Sequence, residues 1–235
     1  MPAGRTRAED VFTRLRGDIL GGTLRPGQRL RYGELCRQYG TSMGVLRESL
    51  LRLAEQGLVR GEQQQGFQVT PLSATDLRDL SDAREEIEGV ALRRAIAEGD
   101  VAWESRLLAA HHRLERTPIV DPGDGDSASE GSSRRVGEDW VTAHSCFHRT
   151  LLEGGTNTRL KSIASSMRDA SELYRQWAFS LGSDSNRDVA AEHAAILEAT
   201  LERDADLAVA LLRAHIRRTT TALLAAMEAE PGSTA

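Results

Sequence analysis

The spacing of apolar residues changes once along this chain of 235 residues, near residue 72, and no other feature constrains the fold as strongly. Before that point, three short segments with the 3.6-residue period of an amphipathic helix lead into a stretch in which apolar and polar residues alternate. After it, every periodic segment has the helical period. We therefore expect one small mixed domain over residues 1–71 and one all-helical domain over residues 72–235.

The first domain is predicted to be a winged helix-turn-helix. Residues 8–21, 31–40 and 41–57 form three predicted helices, and a glycine follows or ends each of them, as at many helix C-termini. Pro26-Gly27 predicts a tight turn before the second helix. Residues 58–72 alternate around a Gln-rich tip, which predicts a β-hairpin. Three helices followed by a hairpin indicate a domain whose third helix reads the major groove of DNA.

The second domain is predicted to be an all-helical bundle of about six helices, so the fold class is mainly α. Residues 117–135 are rich in Gly, Ser, Asp and Pro, which predicts a flexible loop. No stretch approaches the roughly 18 consecutive apolar residues of a membrane span. The N-terminus has no apolar run behind its charges and does not resemble a signal peptide. With only two cysteines, we expect a cytoplasmic protein without a disulfide framework or a membrane partner.

The charge of the chain is divided unevenly between the two predicted domains. Residues 1–71 carry 11 arginines against 7 acidic residues, a balance of +4, whereas the remainder carries 19 basic and 28 acidic residues, a balance of −9. An arginine-biased domain on an acidic body is typical of a nucleic-acid-binding domain attached to a separate helical domain. Chance unevenness is the alternative, because the positive balance is small.

Four of the six histidines are candidates for a metal site in the second domain. His144 and His148 stand four residues apart in one predicted helix, which projects both imidazoles to the same side. His193 and His215 lie in two further predicted helices. The interior of a helical bundle allows side chains from facing helices to converge on a metal ion. The alternative is a set of four unconnected core histidines, and the neighbouring pair His111-His112 is expected to be solvated.

In this arrangement the chain resembles the GntR family of transcriptional regulators, in the FadR-like branch that joins a winged helix to an all-helical FCD ligand-binding domain. The resemblance rests on ILGGTLRPGQRL, ELCRQYGTSMGVLRESLLRLAEQGLV and QGFQVTPL in the first domain. In the second it rests on DLSDAREEIEGVALRRA, FHRTLLEGGTN and EHAAILEATLERDADLAVALLRAHI. It implies a DNA-binding regulator, a repressor rather than an enzyme. A homodimer is expected on an imperfectly palindromic operator, because one winged helix reads only half a site.

The resemblance also indicates which residues would contact the double-stranded DNA operator. Arg47 matches the family arginine within the third helix, and its guanidinium can pair with guanine or clamp a phosphate. An ion pair with Glu34 or Glu48 is the alternative. Met43 and Val45 replace an arginine and a proline of the family, so the operator of relatives cannot be carried over. The candidates, from the helix start and the wing, are Arg31, Thr41, Ser42, Met43, Arg47, Gln65 and Gly66.

For the metal site, the resemblance implies a set of ligands. Similar FCD domains hold a metal with one aspartate and three histidines, and the three match His148, His193 and His215. His144 stands in the aspartate's place. Because four neutral imidazoles bring no negative charge, a divalent cation would retain its full double charge. Imidazole-rich sites favour zinc, nickel, copper or cobalt over magnesium or calcium. We therefore expect a divalent transition metal, zinc first.

The resemblance further implies a pocket for a small carboxylate effector, bound by the metal and by Arg84. Asn157 and Tyr174 are the other effector candidates. An ion pair of Arg84 with Glu88 and a helix cap at Asn157 are the alternative interpretations. Direct metal sensing is a second functional hypothesis. A metal-dependent enzyme is disfavoured because no carboxylate beside the histidines is an obvious general base: on a helix, Glu192 points roughly 100° away from its neighbour His193.

Overall fold

The computed structural model describes residues 6–20, 23–62, 66–119, 137–179 and 187–229. The chain separates into two compact units. The first comprises Met1–Asp76 together with Ser166–Trp177, and the second comprises Leu77–Ser165 together with Ala178–Ala235. The division near residue 72 was expected from the sequence, whereas the membership of a distant helical segment in the first unit was not.

The first unit contains the winged helix-turn-helix that the sequence predicts. Its sheet is antiparallel, with strand order β1-β3-β2. The elements in chain order are α1 (Arg7–Leu20), β1 (Arg29–Leu30), α2 (Tyr32–Tyr39), α3 (Met43–Glu55), β2 (Val59–Glu62) and β3 (Gly66–Val69).

Strand β1 is the element of this unit that the sequence did not predict. The turn at Pro26-Gly27 is confirmed: Gly27 has a φ of 75°, and the backbone N–H of Gln28 donates to the carbonyl of Arg25 at 2.9 Å. The chain then runs directly into β1, where Leu30 pairs with Phe67 of β3. Two residues are too few to produce a recognisable alternation, so pairing with the hairpin determines this strand.

The first unit acquires part of its core from the helix α7 (Thr158–Phe179), far along the chain. Leu173 of this helix is 1% exposed and packs into the apolar core formed by α1, α3 and the sheet. Asp169 forms an ion pair with Arg16 at 3.1 Å. The hydroxyl of Ser166 donates to the carbonyl of Glu55 at 3.2 Å. These contacts explain why residues 166–177 belong to the first unit.

The second unit is all-helical, as predicted. Side-chain caps begin several of its helices: for example, Ser73 accepts from the N–H of Asp76 at 3.2 Å, and Asp100 accepts from that of Trp103 at 2.7 Å. The predicted loop over residues 117–135 lies mostly outside the described residues. Along with the first part of α7, the helices are α4 (Ala74–Glu98), α5 (Val101–Arg116), α6 (Glu138–Leu152), α8 (Val189–Leu201) and α9 (Ala205–Ala229).

Helices α4 and α9 run antiparallel along one another. Near the start of α4, the hydroxyls of Ser81 and Thr220 hydrogen bond at 2.6 Å. Further along α4, Arg93 forms an ion pair with Asp206 at 2.7 Å. Residue numbers thus rise along α4 as they fall along α9. In the part of the chain that the structure describes, no helix has both the length and the apolar content to cross a bilayer.

Candidate metal centre

The four predicted histidines converge inside the second unit. Helix α6 supplies His144 and His148 one turn apart, α8 supplies His193 and α9 supplies His215. One ring nitrogen from each residue can be chosen so that all four lie within 4.8 Å of one another. The four residues are 6%, 1%, 2% and 6% exposed, in chain order. Four buried imidazoles from three helices therefore surround one point.

The spacing of the ring nitrogens suits a metal ion. Nε2 of His148 lies 3.2 Å from Nε2 of His193. A tetrahedral zinc ion with Zn–N distances of about 2.0–2.1 Å holds neighbouring nitrogens roughly 3.3 Å apart. Imidazole nitrogen is also a preferred ligand of zinc, nickel, cobalt and copper. This pair of nitrogens thus has the spacing of two ligands of one metal ion, and all four residues suit a divalent transition metal by their chemistry.

Aromatic side chains enclose the cluster. The indole of Trp140 stacks on the ring of His144 with the centroids 4.8 Å apart and an interplanar angle of 21°. The ring of Phe147 lies edge-on against His148 and His193, at centroid distances of 5.1 and 5.3 Å. Such a wall restricts water and strengthens electrostatic interactions at the centre. The sequence analysis overlooked Trp140, although it precedes His144 by one helical turn and so shares its face.

A carboxylate that the sequence analysis set aside contacts the cluster. Oε2 of Glu192 lies 2.8 Å from Nδ1 of His215. Arg187 donates two hydrogen bonds to the same carboxylate, at 2.9 and 2.6 Å, and Arg218 lies 3.1 Å from it. Burial would raise the pKa of Glu192, but hydrogen bonds from His215 and Arg187 and the charge of Arg187 outweigh burial and hold that pKa well below its usual range. Glu192 indeed points away from its neighbour His193, and it faces α9 instead.

The two neighbouring histidines of α5, His111 and His112, differ in their exposure to solvent. His112 is exposed, as predicted. His111 is half-buried, with its ring 5.4 Å from that of Phe147, and burial lowers its pKa. The prediction of a solvated side chain is therefore wrong for His111, because packing against Phe147 removes it from water.

Arg84 has a buried partner on its own helix. Its Nε donates to Glu88 at 2.6 Å, and the two residues are only 8% and 1% exposed. The intrahelical ion pair that the sequence left as an alternative is therefore present, but inside the bundle rather than on its surface. The antiparallel alignment of α4 and α9 places Arg84 level with His215.

The other two effector candidates have structural hydrogen bonds. Oδ1 of Asn157 accepts from the N–H of Leu160 at 3.0 Å, so the exposed Asn157 caps the start of α7. Tyr174 belongs to the first unit, where its hydroxyl donates to Asp76 at 2.5 Å and its side chain is buried. The helix cap that the sequence left as an alternative for Asn157 is therefore present, and Tyr174 belongs to a different unit from the histidine cluster.

The start of α3 presents Ser42, Met43 and Arg47 of the predicted DNA-contact residues to solvent. Ser42 is the helix cap, and its hydroxyl accepts from the N–H of Val45 at 3.4 Å. Met43 is 62% exposed, and Arg47 one turn later is exposed as well. Thr41 does not cap the helix, because its hydroxyl oxygen is buried and has no hydrogen-bond partner among the described residues.

The remaining DNA-contact candidates lie before α2 and at the wing. The side chain of Arg31 is 74% exposed and forms a loose ion pair with Glu34 at 3.4 Å. Gly66 begins β3 with a φ of 91°, a left-handed conformation that favours glycine. Gln65 lies outside the described residues.

A winged helix that presents an arginine on its third helix, in a chain that also carries an all-helical unit, defines the class of DNA-binding transcriptional regulators. Residues 7–69 match the family model of the bacterial regulatory proteins of the gntR family, and residues 79–218 match that of the FCD domain. The chain therefore belongs to the GntR family of transcriptional regulators and carries an FCD domain.

Individual relatives agree with this assignment. The HTH-type transcriptional regulator BphR of Paraburkholderia xenovorans is 35% identical over 216 residues, which are 90% of this chain and 83% of the relative. The HTH-type transcriptional repressor GlaR of Escherichia coli is 29% identical over 88% of this chain and 91% of the relative. The solved structure of E. coli McbR/YncC has a TM-score of 0.70 at 17% identity, over 94% of this chain and 98% of that one. This last likeness establishes the fold alone.

Proposed function

We propose that the protein is a repressor that binds an imperfectly palindromic operator as a homodimer and releases it when a small organic acid binds at a metal held by four histidines. The observation that carries the proposal is the convergence of His144, His148, His193 and His215 in a buried cluster. A relative named as a transcriptional repressor, GlaR of E. coli, supports repression over activation.

The ligand chemistry of the cluster supports zinc as the resident metal, with nickel, cobalt or copper as alternatives. Neutral imidazoles bring no negative charge to the cation, whereas magnesium and calcium require oxygen ligands. A divalent cation at this centre would supply a concentrated positive charge for a carboxylate oxygen of the effector. The enclosing rings of Trp140 and Phe147 would strengthen that attraction by limiting access of water.

Arg84 is the second anchor that we propose for the effector. It is buried and level with His215, and its planar guanidinium suits a carboxylate. Glu88 already forms an ion pair with it at 2.6 Å. An effector carboxylate would therefore either share Arg84 with Glu88 or displace Glu88 from it. This competition favours ligands with a second acidic group that the metal can hold.

The proposed coupling between effector and operator uses helix α7. This helix contributes residues 158–165 and 178–179 to the second unit and residues 166–177 to the first. A rearrangement of the helical unit thus has a continuous helix through which it can reach the winged unit. Because coupling of binding free energies is reciprocal, operator DNA and effector are expected to weaken each other's binding.

Direct metal sensing is the second candidate function. It is favoured by the origin of the ligands on three different helices, α6, α8 and α9, because the cation alone would then tie those helices together. The two candidates differ in one measurement. If metal-free and metal-loaded protein differ in operator affinity without any organic acid, the metal itself is the effector.

Arg47→Ala is expected to weaken operator binding by about 5- to 150-fold, since a bidentate arginine contact contributes roughly 1–3 kcal/mol. The measurement is fluorescence anisotropy with DNA that the wild-type protein has selected from random fragments. Arg106→Ala is the matched control, because it removes an equally exposed arginine from α5 in the second unit. Equal affinity of both variants would contradict the assignment of α3 as the reading helix.

A small organic acid is expected to weaken operator binding of the metal-loaded protein by about 5- to 150-fold, the usual size of allosteric coupling. Native mass spectrometry of the purified protein would give the metal and any acid that co-purifies. Gel-shift titrations would then compare a panel of hydroxy and dicarboxylic acids, with metal-stripped protein as control. If no acid changes the operator affinity of the loaded protein, the effector part of the proposal is wrong.

A further inference from the structure

We propose that Glu192 is a positioning residue for the metal centre. It holds His215 in the tautomer that directs Nε2 toward the other three histidines. This inference rests on the proposed metal site, because it assigns a function to a residue outside the ligand set. Its basis is the hydrogen-bond geometry around Glu192.

The contact between Glu192 and His215 determines where the imidazole proton lies. An ionised carboxylate can only accept hydrogen bonds, so Oε2 of Glu192, 2.8 Å from Nδ1 of His215, requires a proton on Nδ1. In a neutral imidazole the lone pair is then on Nε2. A metal ligand must offer a lone pair, and Nε2 is thus the nitrogen of His215 that can bind the cation.

One nearby contact competes for the same nitrogen. Nη2 of Arg187 lies 3.3 Å from Nδ1 of His215. The guanidinium has only N–H donors, so it could hydrogen bond to Nδ1 only in the opposite tautomer. The shorter distances decide: Nη2 donates to Oε2 of Glu192 at 2.6 Å, and the same oxygen lies 2.8 Å from Nδ1. Nη2 of Arg187 and Nδ1 of His215 therefore both donate to Oε2 of Glu192. Because they share this acceptor, the two nitrogens lie close together without a hydrogen bond between them.

The carboxylate itself is held in place. Arg187 donates to both of its oxygens, and its guanidinium also donates to Oγ1 of Thr219 at 3.0 Å and to the carbonyl of His215 at 3.2 Å. Arg218 adds a contact at 3.1 Å. Bidentate arginine–carboxylate pairs have a defined orientation. Glu192 is therefore fixed relative to the backbone of α9, which carries His215.

This arrangement gives the centre a negative charge that its ligands lack. With His144 where the family has an aspartate, the four ligands are all neutral when they bind. The carboxylate of Glu192 reaches the cation indirectly, by polarising His215 and raising its basicity as a ligand. Loss of such a partner typically weakens metal binding by about 10- to 100-fold.

The test is Glu192→Gln, with Glu198→Gln as the matched control on an exposed position of the same helix. Zinc affinity is measured by competition with a chromophoric chelator. We expect Glu192→Gln to bind zinc about 10- to 100-fold more weakly than wild type and Glu198→Gln to match wild type. Long-range ¹H–¹⁵N spectra of the zinc-loaded wild-type protein supply an independent readout, and we expect His215 to carry its proton on Nδ1 and the metal on Nε2.

The outcomes separate the inference from the proposal on which it rests. A wild-type protein that binds no zinc would overturn the metal site itself. A wild-type protein that binds zinc, with Glu192→Gln equal to Glu198→Gln in affinity, would overturn the role of Glu192 alone. Zinc on Nδ1 of His215 would do the same, and this measurement needs no variant that might fail to fold.

Discussion

Metal removal is expected to lower the melting temperature of the second unit by about 8–16 °C. A ligand present at a thousand times its dissociation constant stabilises the folded state by roughly 4 kcal/mol, and each kcal/mol shifts the midpoint of a domain of this size by about 2–4 °C. The physical reason is that four buried imidazoles converge on one point, where the cation would join α6, α8 and α9. Differential scanning calorimetry of chelator-treated and zinc-reloaded protein measures the shift.

Two variants make this expectation specific to the cluster. His148→Ala removes a proposed ligand that is 1% exposed, so the melting temperature of this variant should no longer respond to zinc. His112→Ala removes an exposed histidine of α5 and should retain the full response. A zinc-dependent shift of the same size in both variants would show that the stabilisation arises elsewhere.

His144→Asp examines the unusual ligand. It would restore the aspartate that resembling FCD domains carry at this place, so metal binding should persist while the preference moves toward harder ions such as manganese. Competition between zinc and manganese, followed by metal analysis of the protein, measures that preference. An unchanged preference would count against the role given to His144.

Glu88→Ala is expected to lower the free energy of unfolding of the second unit by about 3–5 kcal/mol, because it leaves the buried guanidinium of Arg84 without its carboxylate partner. The pair is held at 2.6 Å with side chains 9% and 1% exposed. Urea denaturation followed by circular dichroism measures the change. The double variant Arg84→Met with Glu88→Leu should cost far less, since it removes both buried charges together.

The control for this pair is an exposed ion pair between α4 and α9. The side chains of Arg93 and Asp206 are 53% and 89% exposed, and Asp206→Ala should cost only about 0–1 kcal/mol. If Glu88→Ala costs no more than Asp206→Ala, the Arg84–Glu88 pair is not effectively buried. The proposal of Arg84 as an anchor in a protected pocket would then lose its basis.

Much of the fold could be predicted from the sequence because local signals sufficed. The helical period of apolar residues, together with a cap such as Ser42 or Ser73, indicates where helices begin, and the structure has helices there. Strand β1 and the packing of Leu173 into the first unit could not be predicted in the same way. Both depend on contacts between residues far apart in the chain.

At the candidate site, residue types were predictable and their partners were not. A pair of histidines one helical turn apart, with two further histidines in later predicted helices, indicates His144, His148, His193 and His215 from the sequence alone. From the sequence, Glu192 could be evaluated only as a neighbour of His193 on the same helix. Its contact with His215 arises from the packing of α8 against α9, which no local pattern encodes.

The sequence by itself thus determined the class of fold, the order of its helices and the family, because helical period, turn residues and motifs are local properties of the chain. Only the tertiary structure decided which side chains meet: Arg84 with Glu88 in the interior, Glu192 with His215, and Leu173 with the winged unit. The physical reason is that burial and hydrogen bonding between helices depend on how their faces pack, and many packings are compatible with the same periodic sequence.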